Sequence, residues 1–196
     1  MSINSFENNI VSNDTIGINV VLVNEHDEPV GLAEKLFAHQ QGLLHRAFSV
    51  FIVRKKNDDY EILLQQRAQH KYHCGGLWTN ACCSHPYAKE NIETAALRRL
   101  QEELGFSVPL QKVGTFIYHA KLDNDLIEHE LDHVLIGVYN DDTEINFNTE
   151  EVMSYRWAAL PKINQEITDT PTLFTPWLLP ALALVEEFLR DNKKIS

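Results

Sequence analysis

Between Asn91 and Gly105 the chain repeats apolar residues at Ile92, Ala95, Ala96, Leu100 and Leu104. A helix turns about 100° per residue, so these positions share one face and predict a helix with a buried side, stopped by Gly105. The opposite side carries Arg98, Arg99, Glu102 and Glu103, with each arginine four residues ahead of a carboxylate. Pairs at that spacing add only about 0.2–0.5 kcal/mol to a solvated helix. Taken alone they describe an ordinary charged surface.

Strand patterns surround this helix. Ile18 to Val23, Ala47 to Val53, Glu61 to Gln66, Val113 to Ala120, Ile127 to Tyr139 and Val152 to Ala158 are rich in β-branched and aromatic residues and predict strands. Glu25 to Gly31, with Pro29, reads as a hairpin connection, Lys55 to Asp59 as a solvated turn, and Ala68 to Leu77, with Gly75 and Gly76, as a polar loop. A short helical piece is expected over Glu34 to Gln40, and longer helices over Leu160 to Thr168 and Pro176 to Arg190. Strands, a central helix, more strands and terminal helices give an α+β fold, a mixed β-sheet sandwiched between helices with a terminal helical extension. The 196 residues suit one domain over 15–196, able to bury roughly 70% of its unfolded surface. Residues 1–14 read as a polar N-terminal extension whose flexibility the sequence leaves open.

No apolar run reaches the roughly 18 residues that cross a bilayer. Met1 to Asp14 also lacks the basic start and apolar core of a signal peptide. Cys74, Cys82 and Cys83 neither pair evenly nor form a C-x-x-C motif, which suits free thiols in a reducing compartment. A cytoplasmic monomer with no membrane partner is the expectation. The formal net charge of −11 disfavours nucleic acid, whose binding relies on basic surface. A small anion would need local cations or bound metal.

Two clusters carry chemistry. Glu128, Glu130 and Asp132 alternate within Leu126 to Asp132, and on a strand a period of two puts them on one face. That face continues as Val134, Ile136 and Val138, so it should run into the core, where unpaired carboxylates are costly. A cation resolves both the repulsion and the burial; an exposed edge strand with acids facing water is the plain alternative. In Cys82-Cys83-Ser84-His85-Pro86 a thiol sits two residues from an imidazole. Free thiols titrate near ~8.5, moved down by cations and up by apolar burial, so such a group can exchange a proton near neutrality.

From Ser84, five residues lead to Glu90, seven more to Arg98, and then come Glu102-Glu103, Gly105 and Phe106. This spacing resembles the diphosphate-handling box of the Nudix superfamily. Ser84 stands where that box has glycine, and Arg99 where it has a glutamate that commonly helps bind metal in hydrolysing members. With Cys83 just ahead, these departures make the chain resemble the type I isopentenyl diphosphate isomerases, a non-hydrolysing branch, over roughly Val20 to Leu179.

The resemblance implies a Nudix fold and an isomerase that interconverts isopentenyl diphosphate and dimethylallyl diphosphate in isoprenoid precursor biosynthesis. It implies Cys83 and Glu130 as the catalytic acid/base pair, with the giver of the first proton left open, and Tyr118 as relay. His39, His45, His85, Glu128 and Glu130 match the family's metal ligands, a set suited to Mn²⁺, Mg²⁺ or an expanded Zn²⁺. Glu103 matches the ligand of Mg²⁺ carried with the substrate diphosphate. Arg67 and Lys71, and more weakly Lys35, match diphosphate contacts, and Trp177 the aromatic that faces a carbocation, an attraction worth up to about 2 kcal/mol. Asp132 has no family role. His26, His70, His73, His119, His129 and His133 read as ordinary histidines, the last two pointing away from Glu128 and Glu130. Around Cys74 the chain departs from relatives, which often carry a tryptophan-proline pair there. A Nudix pyrophosphohydrolase acting on a nucleoside diphosphate derivative is the alternative activity, and a catalytically dead metal-binding or interaction module a third reading.

Overall fold

The computed structural model describes residues 19–57, 59–122, 125–141 and 144–193; the extension expected over 1–14 lies outside them. Nine strands among the described residues join one sheet: β1 (Asn19–Val23), β2 (Pro29–Glu34), β3 (His45–Lys56), β4 (Asp59–Arg67), β5 (Trp78–Thr79), β6 (Cys82–Ser84), β7 (Leu110–Lys121), β8 (Ile127–Val138) and β9 (Val152–Ala159). Four helices cover it: α1 (Lys35–Gln41), α2 (Ile92–Leu104), α3 (Leu160–Asp169) and α4 (Leu178–Lys193). The sheet is mixed, since β3 and β8 pair in parallel while the other ladders are antiparallel.

Strand β3 is the axis of the molecule. Phe51 and Val53 point to one face, where Ile62, Leu64, Val134 and Ile136 join them against Ile163 of α3 and Leu178, Leu182 and Val185 of α4. Phe48, Val50 and Ile52 point the other way, onto Ala95, Ala96, Leu100 and Leu104 of α2. A strand covered on both faces reads as an unbroken apolar run, as Ala47 to Val53 does. The α+β sandwich expected from element order is the fold observed.

Local signals set the helix ends. Asn91 caps α2 by accepting from the Glu93 amide at 2.8 Å. Gly105 closes it at φ +73°, and a Cβ there would lie 2.4 Å from the Asn146 carbonyl oxygen, so backbone conformation and close approach both require glycine. Glu34 caps α1 by accepting from the Leu36 and Phe37 amides.

Three expectations are corrected. Pro29 to Gly31 belong to β2, an exposed strand whose residues show little apolar alternation. Trp78–Thr79 and Cys82–Ser84, which the sequence leaves unassigned, are short strands; at two and three residues they carry no period to detect. Val138, placed on the buried face, is 47% exposed at the end of β8. Trp177 precedes α4 instead of lying on it, and its carbonyl accepts the helix-starting bond from Ala181.

Candidate active site and metal centre

The ladders assemble the site. Tyr118 of β7 pairs with Glu130 of β8, Glu130 pairs with His45 of β3, and Ser49 of β3 pairs with Cys83 of β6. Paired residues point to the same side of a sheet, so four strands deliver a phenol, a carboxylate, an imidazole and a thiol to one face. It is the face covered further along by α4. Helix α1 adds His39, and His85 follows directly after β6.

Two overlapping groups of donor atoms result, each within 4.8 Å of one another: His39, His45, His85 and Glu130, and His39, His73 and Glu128. His45 Nε2 lies 3.2 Å from His85 Nε2, and His85 Nε2 is 2.8 Å from Glu130 Oε1. His39 and His45 turn Nδ1 to the carbonyls of Lys35 and Leu43, at 2.7 and 2.8 Å. That bond puts the proton on Nδ1 and leaves the Nε2 lone pair facing inward, the usual arrangement of a metal-binding imidazole. Among the described residues His39 Nε2 and Glu128 Oε2 are buried without a hydrogen-bond partner. Inward lone pairs, orphaned donors and buried carboxylates together fit a divalent cation, and the His/Glu group is able to hold one.

Electrostatics agree. Burial, with Lys35 second, pushes the His85 imidazole down to about 3, and burial with Arg67 pushes His73 down to about 2; both rings are neutral. Burial and then Glu130 hold the Asp132 carboxyl well above its usual range, and the same two causes raise Glu128. Burial also acts to raise Glu130, but hydrogen bonds with His45 and His85 outweigh it and hold that carboxyl well below the usual range.

The thiol is fixed from several sides. Cys83 donates to Asn80 Oδ1 at 2.9 Å and accepts from the Trp177 indole at 3.0 Å. The Asn80 amide is oriented by giving its own protons to the carbonyls of Val50 and Cys82. Its carbonyl oxygen is thereby turned to accept, from the Thr79 hydroxyl at 3.0 Å and from the Cys83 thiol. Burial, followed by Asp132, raises this thiol to about 12. Asp132 accepts from Ser49 at 2.7 Å, which places it beside the thiol. On the other wall Tyr118 donates to Glu130 Oε2 at 2.5 Å, its own ionisation pushed well up by burial and by Glu130. Cys82 faces the opposite side of the sheet, against α2.

Three cations, Lys35, Arg67 and Lys71, lie near enough to act on one another in this acidic chain. Lys35 is half-buried and stacks over Tyr72, 5.4 Å from the ring centre. Burial lowers its pKa, with Arg67 the next cause and Lys71 a further one. Arg67 lies over Trp177 at 5.6 Å, its Nε buried without a partner among the described residues. Lys71 is ion-paired with Glu151.

Comparison with known proteins follows from this geometry. Residues 43–178 match the NUDIX domain. An isopentenyl-diphosphate Delta-isomerase 2 of Photorhabdus laumondii is 51% identical over 158 residues, 81% of this chain and 86% of that protein. The chain belongs to the isopentenyl-diphosphate Delta-isomerase family. An isopentenyl-diphosphate Delta-isomerase of Photobacterium profundum is 49% identical over 170 residues, covering 85% and 93% of the two chains. A Deinococcus radiodurans crystal structure superposes with a TM-score of 0.61 at 16% identity, over 77% of this chain and 89% of that one. A MutT protein from Methanosarcina mazei gives 0.57 at 18%, over 76% and 96%. These two establish the fold.

Within this isomerase family member, the box residues do distinct work. Glu90 receives both nitrogens of Arg98 at 2.9 Å, while the expected Arg98–Glu102 pair is long, at 3.5 Å. Arg99 binds Glu103 at 2.7 Å and reaches Glu151 at 3.3 Å. Glu103 is buried and also accepts from Gln65 and Cys82, so it stands with α2 and joins neither group of metal donors. His73, read from sequence as ordinary, is brought beside His39 and Glu128 instead. The one sequence signal for it was its place in a loop two residues after Lys71 and six after Arg67.

Proposed function

We propose that the protein interconverts isopentenyl diphosphate and dimethylallyl diphosphate by adding one proton to an alkene carbon and removing another. The observation that carries this is a buried thiol, fixed by Asn80 and Trp177, on the same sheet face as an acceptor carboxylate fixed by Tyr118 and two imidazoles. Relatives at 43–51% identity carry the isomerase name. Cys83 delivers its proton to the terminal methylene, producing a tertiary carbocation, and the Glu130 carboxylate takes a proton from the carbon next to the diphosphate-bearing CH₂. The double bond moves one position and no bond to phosphorus changes. Buried walls exclude the water that would trap the cation, and the Trp177 ring stabilises it. After product leaves, exchange with solvent returns a proton to sulfur and clears Glu130.

His39, His45, His85, Glu128 and Glu130 would hold a divalent cation, Mn²⁺, Mg²⁺ or Zn²⁺, which would supply a fixed charge that keeps Glu130 ionised and oriented. Arg67, Lys35 and Lys71 would bind the diphosphate, helped by Mg²⁺ at Glu103; the lowering of the Lys35 pKa by burial, then by Arg67 and Lys71, supports a local positive field. For Lys71 and Glu103 this requires exchanging their present partners Glu151 and Arg99 for the ligand. One domain over 15–196 carries the activity as a monomer, and the free thiols Cys82 and Cys83 support a cytoplasmic setting. No described helix is long and apolar enough to cross a membrane. The net charge of −11 argues against nucleic acid, and a small-molecule diphosphate is met by the local cations despite it.

Incubation with isopentenyl diphosphate and Mg²⁺, with allylic diphosphate and inorganic phosphate followed together, tests the reading. Allylic product without phosphate is expected. Phosphate release without allylic product, the outcome for a nucleotide-type pyrophosphohydrolase, would contradict it.

A further inference from the structure

His73 is 9% exposed, His39 is fully buried and Glu128 is 1% exposed. His73 Nδ1 lies 3.5 Å from Glu128 Oε1, and its ring stacks on that of His39 with centres 5.5 Å apart and planes at 28°. Among the described residues His73 Nδ1, His39 Nε2 and Glu128 Oε2 are all buried without hydrogen-bond partners. His39 Nε2 and Glu128 Oε2 face each other at 3.4 Å without a hydrogen bond; buried polar atoms left unsatisfied are costly, so three converging on one point form a costly arrangement for the protein alone. Each offers a lone pair, and a cation satisfies all three at once.

The loop that carries His73 is held in place. Gly76 donates to the Arg67 carbonyl at 3.0 Å and Leu77 to that of Cys74 at 3.3 Å. Gly75 packs so closely on the Gln69 carbonyl that a Cβ would come within 2.4 Å. Arg67 donates to the His73 carbonyl at 3.4 Å. Nδ1 is thus presented by a shaped loop.

We propose that His73 is a further ligand of the cation at the imidazole–carboxylate centre, binding through Nδ1 on the side of His39 and Glu128. It deepens the metal reading above and rests on it. The donor set becomes four nitrogens and two carboxylates, from His39, His45, His73, His85, Glu128 and Glu130. Mg²⁺ prefers an all-oxygen shell and gives up water reluctantly, whereas imidazole-rich sites suit first-row transition ions. The set therefore selects a transition ion over Mg²⁺ at this position.

Cobalt binding without substrate tests this. Metal-free wild-type protein titrated with Co²⁺ should take one ion per chain, with a six-coordinate visible band that a large excess of Mg²⁺ leaves in place. His73→Ala should bind Co²⁺ at least about tenfold more weakly, the scale of losing a metal-site partner, and with a changed band. His73→Gln, which keeps the loop filled, should fold like wild type by circular dichroism and also change the band. An unchanged band in both variants, at whatever affinity, would overturn the assignment, as would displacement of Co²⁺ by Mg²⁺. Because no substrate is present, a wild type that binds Co²⁺ in this way but fails to isomerise would sink the isomerase reading and leave the ligand standing.

Discussion

Cys82 and Cys83 are neighbours with opposite roles because a strand turns successive side chains to opposite faces. Cys83 meets Asn80, Trp177 and Ser49 on the site face, while Cys82 is sealed against α2. Replacing Cys83 with alanine should lower kcat by about 10²–10⁴-fold, the range for a general acid or base. Cys82→Ala should keep turnover within a few-fold and cost only stability. Steady-state kinetics of the two variants decide, and an active Cys83→Ala would refute the thiol's role. The sequence carried this pair plainly, through Cys83-Ser84-His85 and the alternation of Glu128 and Glu130. Asn80 and Ser49 were invisible to it, since a polar residue that orients a thiol 3 or 34 positions away leaves no pattern.

At the level of elements, the sequence was most legible where a period is long. Helix α2 lies within its expected bounds because five apolar residues mark one face, and β8 follows its alternation to Ile136. Strands β2, β5 and β6 were lost because exposed or very short strands lack that repeat. The start of α2 also has a cross-link that pair spacing missed: Glu90 clamps Arg98, which lies flat over Tyr87 at 3.9 Å. The hydrogen bonds from Arg98 hold the Glu90 carboxyl below its usual range. The folded carboxyl thus titrates below the unfolded one, so its stabilisation is present above the unfolded value near ~4.3 and is lost as pH falls through the lower folded value. Glu90→Gln should cost about 1–2 kcal/mol at pH 7 in urea denaturation, discounted for partial exposure. The gap between variant and wild type should shrink as pH drops below the ordinary carboxylate range; a gap independent of pH would contradict the ion pair.

The whole molecule gathers its charges against their bulk sign. A chain with net charge −11 concentrates Lys35 and Arg67 at one cleft and lines the floor with the buried acids Glu128, Glu130 and Asp132. Composition reported the excess but not its arrangement, which depends on β3 and β8 pairing in parallel across 85 positions of chain between His45 and Glu130. His73 stayed unread for the same reason: only the fold brings its loop to α1 and β8. Buried carboxylates that share a cation should make the protein melt lower when stripped of metal. Saturating divalent ion at about a hundredfold over its Kd should restore about 2.7 kcal/mol. Glu128→Gln should blunt that response, and a melting temperature indifferent to chelator would contradict the centre.

The central claim is that a thiol and a carboxylate trade protons with the carbon skeleton and leave the diphosphate intact. Turnover of isopentenyl diphosphate in D₂O, read by mass spectrometry and NMR, tests it most directly. The account predicts dimethylallyl diphosphate carrying deuterium in a methyl group, with deuterium appearing in wild type and in Cys82→Ala but not in Cys83→Ala. Allylic product formed with no solvent deuterium over many turnovers would contradict it.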